Sequence, residues 1–175
     1  MTTDQTIVVF LDIDGVLQPD SSQQRFRIDR PALKDRLARE VDPGFAALDE
    51  YDIAAVQVDW DPDSVANLKT ICNETGAKIV ISSSWRQGKT LDMLKLLFRI
   101  HDLDHFIIDM TPRLGPRVQE IEAWLAENPQ VQRFLILDDQ DASQFRARFP
   151  DAFVQVMGYL TDDLTQKSLA ILSGK

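Results

Sequence analysis

Five short runs of Val, Ile, Phe and Leu recur along the chain: Ile7 to Ile13, Lys78 to Ser82, Phe106 to Asp109, Arg133 to Leu137 and Phe153 to Met157. Each has the length of a strand, and near-continuous apolar character is what a strand covered on both faces requires. Between the runs the spacing becomes helical. Asp61-Pro62-Asp63 offers an N-cap and a first-turn proline, Val65, Leu68, Ile71 and Cys72 share one face, and Gly76 stands where a helix terminates. Leu91, Leu94, Lys95 and Phe98 continue the alternation, as do Val118, Ile121, Trp124 and Leu125 before Asn128-Pro129, and Leu164, Leu169 and Leu172 after a Thr161 cap. Strand and helix taking turns predict an α/β fold, a parallel sheet with helices on both faces.

The stretch from Gln18 to Trp60 breaks this rhythm and is too long for an ordinary connection. Leu33, Leu37 and Val41, spaced by four, predict a helix over Pro31 to Val41 that Asp42-Pro43-Gly44 ends, and Ile53 to Val58 is expected to be extended. The reading is one domain over residues 1–175, with 18–60 inserted above the outlet of the first strand. No internal repeat, heptad series or low-complexity tract interrupts it.

Composition narrows the classes. The chain has 175 residues, 44% of them hydrophobic and 27% charged, which is globular. A net charge of −9 opposes general charge-driven binding to nucleic acid or anionic membranes. One cysteine, Cys72, excludes an internal disulfide framework and any multi-cysteine metal site. Met1 to Thr6 lacks a basic region followed by an apolar run, and no apolar stretch approaches membrane-spanning length, so a soluble, cytoplasmic protein without membrane partners is expected. The oligomeric state has no signature in the sequence.

In an open parallel sheet ligands gather at the carboxyl ends of the strands. Strand one delivers Asp12-Ile13-Asp14-Gly15 there, strand two Ser82-Ser83-Ser84-Trp85-Arg86, and strand four Asp138-Asp139. Carboxylates pressed together repel one another unless a divalent cation sits among them. Oxygen-only ligation points to Mg²⁺, which favours a few carboxylates together with waters and a substrate phosphate. An Asp beside such a phosphate is a competent nucleophile, and a second acid near the leaving oxygen can give and take a proton.

At these residues the chain resembles the haloacid-dehalogenase-like (HAD) phosphohydrolase superfamily. The resemblance runs through the hydrophobic strand closed by Asp12-x-Asp14-Gly15-Val16, the serines after Ile79-Val80-Ile81, a basic residue opening a later helix, and Asp138-Asp139. Ile81 to Arg86, Glu120-Ile121-x-x-Trp124-Leu125 and Ile136 to Asp139 look like a bacterial branch of uncharacterised domains, with neighbours associated with RNA repair. The resemblance implies a three-layer α/β/α Rossmann-like core with five parallel strands ordered 5-4-1-2-3. It implies Asp12 as nucleophile and Asp14 as acid/base. It gives Mg²⁺ to Asp12, the Asp14 backbone carbonyl, Asp138 and Asp139, and a phosphate-binding hydroxyl to Ser82 or Ser83. The family's Lys is replaced, Arg117 aligning best and Arg113 and Lys89 competing; Arg keeps the charge but changes the geometry.

The implied activity is hydrolysis of phosphate monoesters, with a small phosphorylated molecule favoured by the charge and a nucleic-acid end as the other candidate. Two rivals share the residues: a phosphoaspartate receiver module, which would gain nothing from Asp14, and a catalytically silent HAD-like binding domain, motivated by Arg117. Other features have plainer readings. Trp85 and Trp124 are expected to pack, Cys72 to be a buried hydrophobe, and His101 and His105 to serve surface or core roles rather than bind zinc. Arg86 is open between substrate phosphate and an acidic partner. Arg25, Arg27, Arg30, Lys34, Arg36 and Arg39, interleaved with Asp29, Asp35 and Glu40, read first as a solvated surface and second as a lid for anions.

Overall fold

The computed structural model describes residues 6–174. Strand β1 (Thr6–Leu11) lies at the centre of a five-stranded, all-parallel sheet with β2 (Lys78–Ile81), β3 (Ile107–Met110), β4 (Val131–Asp138) and β5 (Phe153–Gln155). The order is β3-β2-β1-β4-β5, the expected 5-4-1-2-3 read from the opposite edge. Successive β1 residues face opposite sides, as the pleat demands. Val9 and Leu11 pack on one side and Val8 and Phe10 on the other, all fully buried.

Two helical layers cover those sides. The first holds α3 (Pro62–Thr75), α4 (Leu91–Arg99) and α7 (Asp162–Ser173), the second α5 (Arg117–Glu127) and α6 (Ala142–Arg148). The second is rich in aromatics, with Phe10 edge-on to Trp124 at 5.4 Å and to Phe134 at 5.8 Å. The caps read from the sequence form: Asp61 accepts from the Ser64 N–H at 2.8 Å, Thr161 from Leu164, and Gly76 closes α3 at φ 71°. Cys72 is buried and free. Trp124 is buried and also donates to Asp109 at 2.6 Å. No helix among the described residues is long and apolar enough to cross a membrane.

The inserted stretch corrects one expectation. Ile53 to Val58 is not extended; it lies in α2 (Glu50–Val58), whose N-cap Asp49 accepts from Tyr51 at 2.8 Å and Asp52 at 3.3 Å. A short run with four residues buried in succession, Ile53 to Val56, carries no period to separate helix from strand. Together with α1 (Arg30–Glu40), α2 extends the first helical layer: α1 packs on α2, and α2 on α4. Two of the basic residues here are occupied by neighbours. Arg25 pairs with the buried Asp59 at 2.5 Å, and Arg30 pairs with Glu50 at 3.5 Å while stacking 4.1 Å over Tyr51.

Candidate active site

The parallel register sets the site. Leu11 lies level with Ile81 on one side and Leu137 on the other, so the carboxyl ends of β1, β2 and β4 finish together. Backbone bonds continue past the strand ends: the Asp12 N–H donates to Leu137 O at 2.9 Å and the Ser82 N–H to Leu11 O at 3.0 Å. Asp12, Ser82 and Asp138 therefore leave adjacent strands at one height.

Carboxylate oxygens of Asp12, Asp138 and Asp139 lie within 4.8 Å of one another, with Asp12 and Asp138 buried and Asp139 half-buried. Asp12 Oδ1 accepts from the Ile13 N–H at 2.9 Å, and Asp138 Oδ1 from the Gln140 N–H at 2.9 Å. Arg117, the first residue of α5, places Nη1 2.6 Å from Asp138 Oδ2 and 3.4 Å from Asp12 Oδ2. Of the other cationic candidates, Lys89 pairs with Asp52 at 2.9 Å and Arg113 is exposed. Burial first, then the Asp12 charge, pushes Asp138 up to about 7 and Asp139 up to about 6. Such a group holds more negative charge than its surroundings accommodate, and all its donors are hard oxygens. That donor set fits Mg²⁺.

Gly15 permits the close approach. Its φ is +73°, and a Cβ there would collide with the Asp139 carboxylate at Oδ2. Asp14 is half-buried at the same end and is raised by burial and by Asp12, against a lowering from its bond to Trp85. It accepts from Trp85 Nε1 at 3.1 and 3.2 Å and from Gln18 Nε2 at 3.0 Å. The serines separate: Ser83 Oγ caps the following turn by accepting from the Trp85 N–H at 3.3 Å, whereas Ser82 Oγ is fully buried with no hydrogen-bond partner among the described residues. An orphaned buried hydroxyl costs free energy that a ligand's oxygen can relieve.

Arg86 takes the acidic partner. It is buried, donates to Ser83 O at 2.7 Å, Thr111 O at 2.6 Å, Thr111 Oγ1 at 2.7 Å and Pro112 O at 3.0 Å, and pairs with Glu120 at 2.8 Å. Glu120 Oε1 in turn accepts from the Leu114 N–H at 3.1 Å. This pair ties the serine loop to the segment that leads into α5, and so fixes where Arg117 begins. Neither this clamp nor the bond of Trp85 to Asp14 follows from local pattern, because the partners lie 34 and 71 positions apart, whereas Gln18 stands only four positions from Asp14; the placement of Trp85 and Arg86 directly after the serines is the available signal.

The two histidines lie outside this cluster. His101 stacks on Trp60 at 5.5 Å and bonds Val56 O at 2.6 Å, and burial lowers its pKa. His105 is exposed beside Asp102 and Asp104 ahead of the edge strand β3, at the amino end of the parallel strands and away from the carboxyl ends that carry the cluster.

The family model described as "HAD domain in Swiss Army Knife RNA repair proteins" matches residues 8–164, which include every residue of the cluster. No curated protein and no solved structure matches the chain.

Proposed function

Because the chain belongs to the family of HAD domains in Swiss Army Knife RNA repair proteins, a family of HAD-like hydrolases, we propose that it is a Mg²⁺-dependent phosphatase that hydrolyses phosphate monoesters through an aspartyl-phosphate on Asp12. The observation that carries this reading is the meeting of Asp12, Asp138 and Asp139 within 4.8 Å at the ends of two adjacent strands. Those carboxylates, with the Asp14 backbone carbonyl, would hold Mg²⁺. The ion would screen their mutual repulsion and that of an incoming phosphate.

The residues then divide the work. An Asp12 oxygen attacks phosphorus as the bond to the alcohol oxygen breaks, and Asp14 supplies the proton that oxygen needs. Water attacks phosphorus next, giving its proton to Asp14, and inorganic phosphate leaves as the Asp12 carboxylate is restored. Ser82 donates its unpartnered hydroxyl to a phosphoryl oxygen. Arg117 takes the place of the family's Lys, and its second terminal nitrogen is available to the phosphoryl group while Nη1 bridges Asp12 and Asp138. Asp14 beside the cluster favours this reading over a receiver module, which must retain its phosphoryl group.

The substrate we propose is a phosphate monoester. The net charge of −9 favours a small one, and the family's RNA-repair setting adds a phosphorylated RNA end; one screen of metabolites with 3′- and 5′-phosphorylated oligonucleotides separates them. We place the activity in the cytoplasm, where a lone free thiol such as Cys72 is ordinary. The decisive experiment is phosphate release from an aryl phosphate with and without Mg²⁺. Turnover that requires Mg²⁺ and disappears in Asp12→Asn supports the reading. Turnover unchanged in that variant, or absent from the wild type, refutes it, and a phosphoprotein stable over minutes would favour the receiver.

A further inference from the structure

The proposed mechanism uses Asp14 to deliver a proton, yet an Asp side chain in the loop three residues beyond the end of β1 is free to rotate unless something holds it. Two side chains do. Trp85 Nε1 lies 3.1 Å from Oδ2 and 3.2 Å from Oδ1, and Gln18 Nε2 lies 3.0 Å from Oδ1. Both donors are neutral, so they orient the carboxylate without locking it in the charged form as a paired Arg or Lys would. An indole N–H can only donate, so it never competes for the proton that Asp14 must carry. Oδ1 receives two donors and Oδ2 one, which leaves Oδ2 as the oxygen with capacity to spare.

The donors are themselves held. Trp85 meets Trp60 edge-on at 6.1 Å, and Lys89 Nζ lies 5.6 Å from its ring centre. Trp60 is 2% exposed, packed against Phe98 at 4.8 Å and His101 at 5.5 Å. Gln18 is buried, and its Oε1 has no hydrogen-bond partner among the described residues. A buried amide with an unsatisfied carbonyl is a poor packing residue, and what it offers here is its NH₂ group.

We infer that Trp85 and Gln18 are positioning residues for Asp14, and that the stretch from Gln18 to Trp60 is part of the reaction machinery because its two ends supply one of these donors and the wall behind the other. This rests on the phosphatase reading above. A donor that orients the acid matters most when the leaving oxygen is a poor one, because only then does bond breaking depend on the proton. The term kcat/KM covers steps up to departure of the alcohol, whereas kcat also includes the later hydrolysis common to all substrates.

The experiment measures kcat/KM for para-substituted phenyl phosphates, from 4-nitrophenyl to phenyl, in the wild type, Trp85→Phe and Gln18→Leu. Trp85→Phe keeps an aromatic ring against Trp60 and removes the N–H. Its kcat/KM for phenyl phosphate is expected to fall roughly tenfold further than for 4-nitrophenyl phosphate, in line with the loss of an outer orienting partner. Gln18→Leu is expected to shift the same ratio in the same direction while thermal stability holds or rises, since the orphaned carbonyl is gone. Equal losses across the series, or none, in both variants overturn the proposal and leave the phosphatase reading standing. If Trp85→Phe does not fold, the ratio in Gln18→Leu decides alone. A wild type that turns over none of the series overturns the phosphatase reading and this proposal together.

Discussion

Replacing Glu120 by leucine removes both carboxylate oxygens at similar volume and keeps a good helix former in α5. Arg86, whose side chain is 5% exposed, then loses its acidic partner, and the Leu114 and Gly115 N–H groups lose their acceptor. Removing one partner of a buried ion pair costs about 3–5 kcal/mol. The guanidinium keeps Ser83 O, Thr111 O, Thr111 Oγ1 and Pro112 O as acceptors, so the lower end applies, about 3 kcal/mol. For a chain of this size that is a fall in Tm of roughly 6–12 °C. Equilibrium unfolding in urea measures it directly, with Arg86→Met and the double variant completing a cycle. The double variant should lose much less than the sum of the two singles, because no charge is then left unpaired. A loss below about 1 kcal/mol in Glu120→Leu, the range of a surface pair, or strict additivity, would refute the assignment of this pair as the clamp of the α5 entrance.

Gly15→Ala forces a Cβ into a backbone at φ +73° and against Asp139 Oδ2; it should cost at least about 1–2 kcal/mol in urea unfolding and lower phosphate release. Metal-free stability carries a pH signature with a definite sign. Asp138 and Asp139 titrate in the folded state near 7 and 6, above the ordinary 3.8, so the folded protein binds more protons between those values and loses stability as pH rises from about 4 to about 7. That slope should flatten in Asp138→Asn/Asp139→Asn; an unchanged slope in thermal melts across this range would exclude these acids as its source. Mg²⁺ at a hundredfold excess over its Kd should stabilise the wild type by about 2.7 kcal/mol, and the same melts should show the gain lost in Asp138→Asn/Asp139→Asn.

How much of this was legible beforehand depends on whether one segment or several had to be read. The strands could be found because Val8 to Leu11 and Leu135 to Leu137 are buried on both faces of the sheet and therefore apolar at every position. Helix α3 could be bounded almost to the residue, since Asp61 and Gly76 satisfy its ends locally. The acids could be gathered by one topological rule about strand ends. Helix α2 is not legible from periodicity because four consecutive buried residues erase the helical period, although Asp49 offers it an N-cap. The partner of Arg86 could not be read at all: Glu120 lies 34 positions away, and nothing in either neighbourhood specifies the other. The two serines, indistinguishable in sequence, divide only in the structure, where Ser83 Oγ accepts from the Trp85 N–H and Ser82 Oγ has no partner among the described residues.

Trp85 and Arg86 are consecutive, yet one reaches Asp14 and the other Glu120, on opposite sides of the loop that leaves β2. Their assignment is therefore a matter of counting from the end of the strand. Deleting a single serine between Ile81 and Trp85 would shift the indole out of line with Asp14 and drag the guanidinium away from Glu120, whereas exchanging Ser84 for another small residue would leave both in phase. The spacing of this tract is held more tightly than its composition.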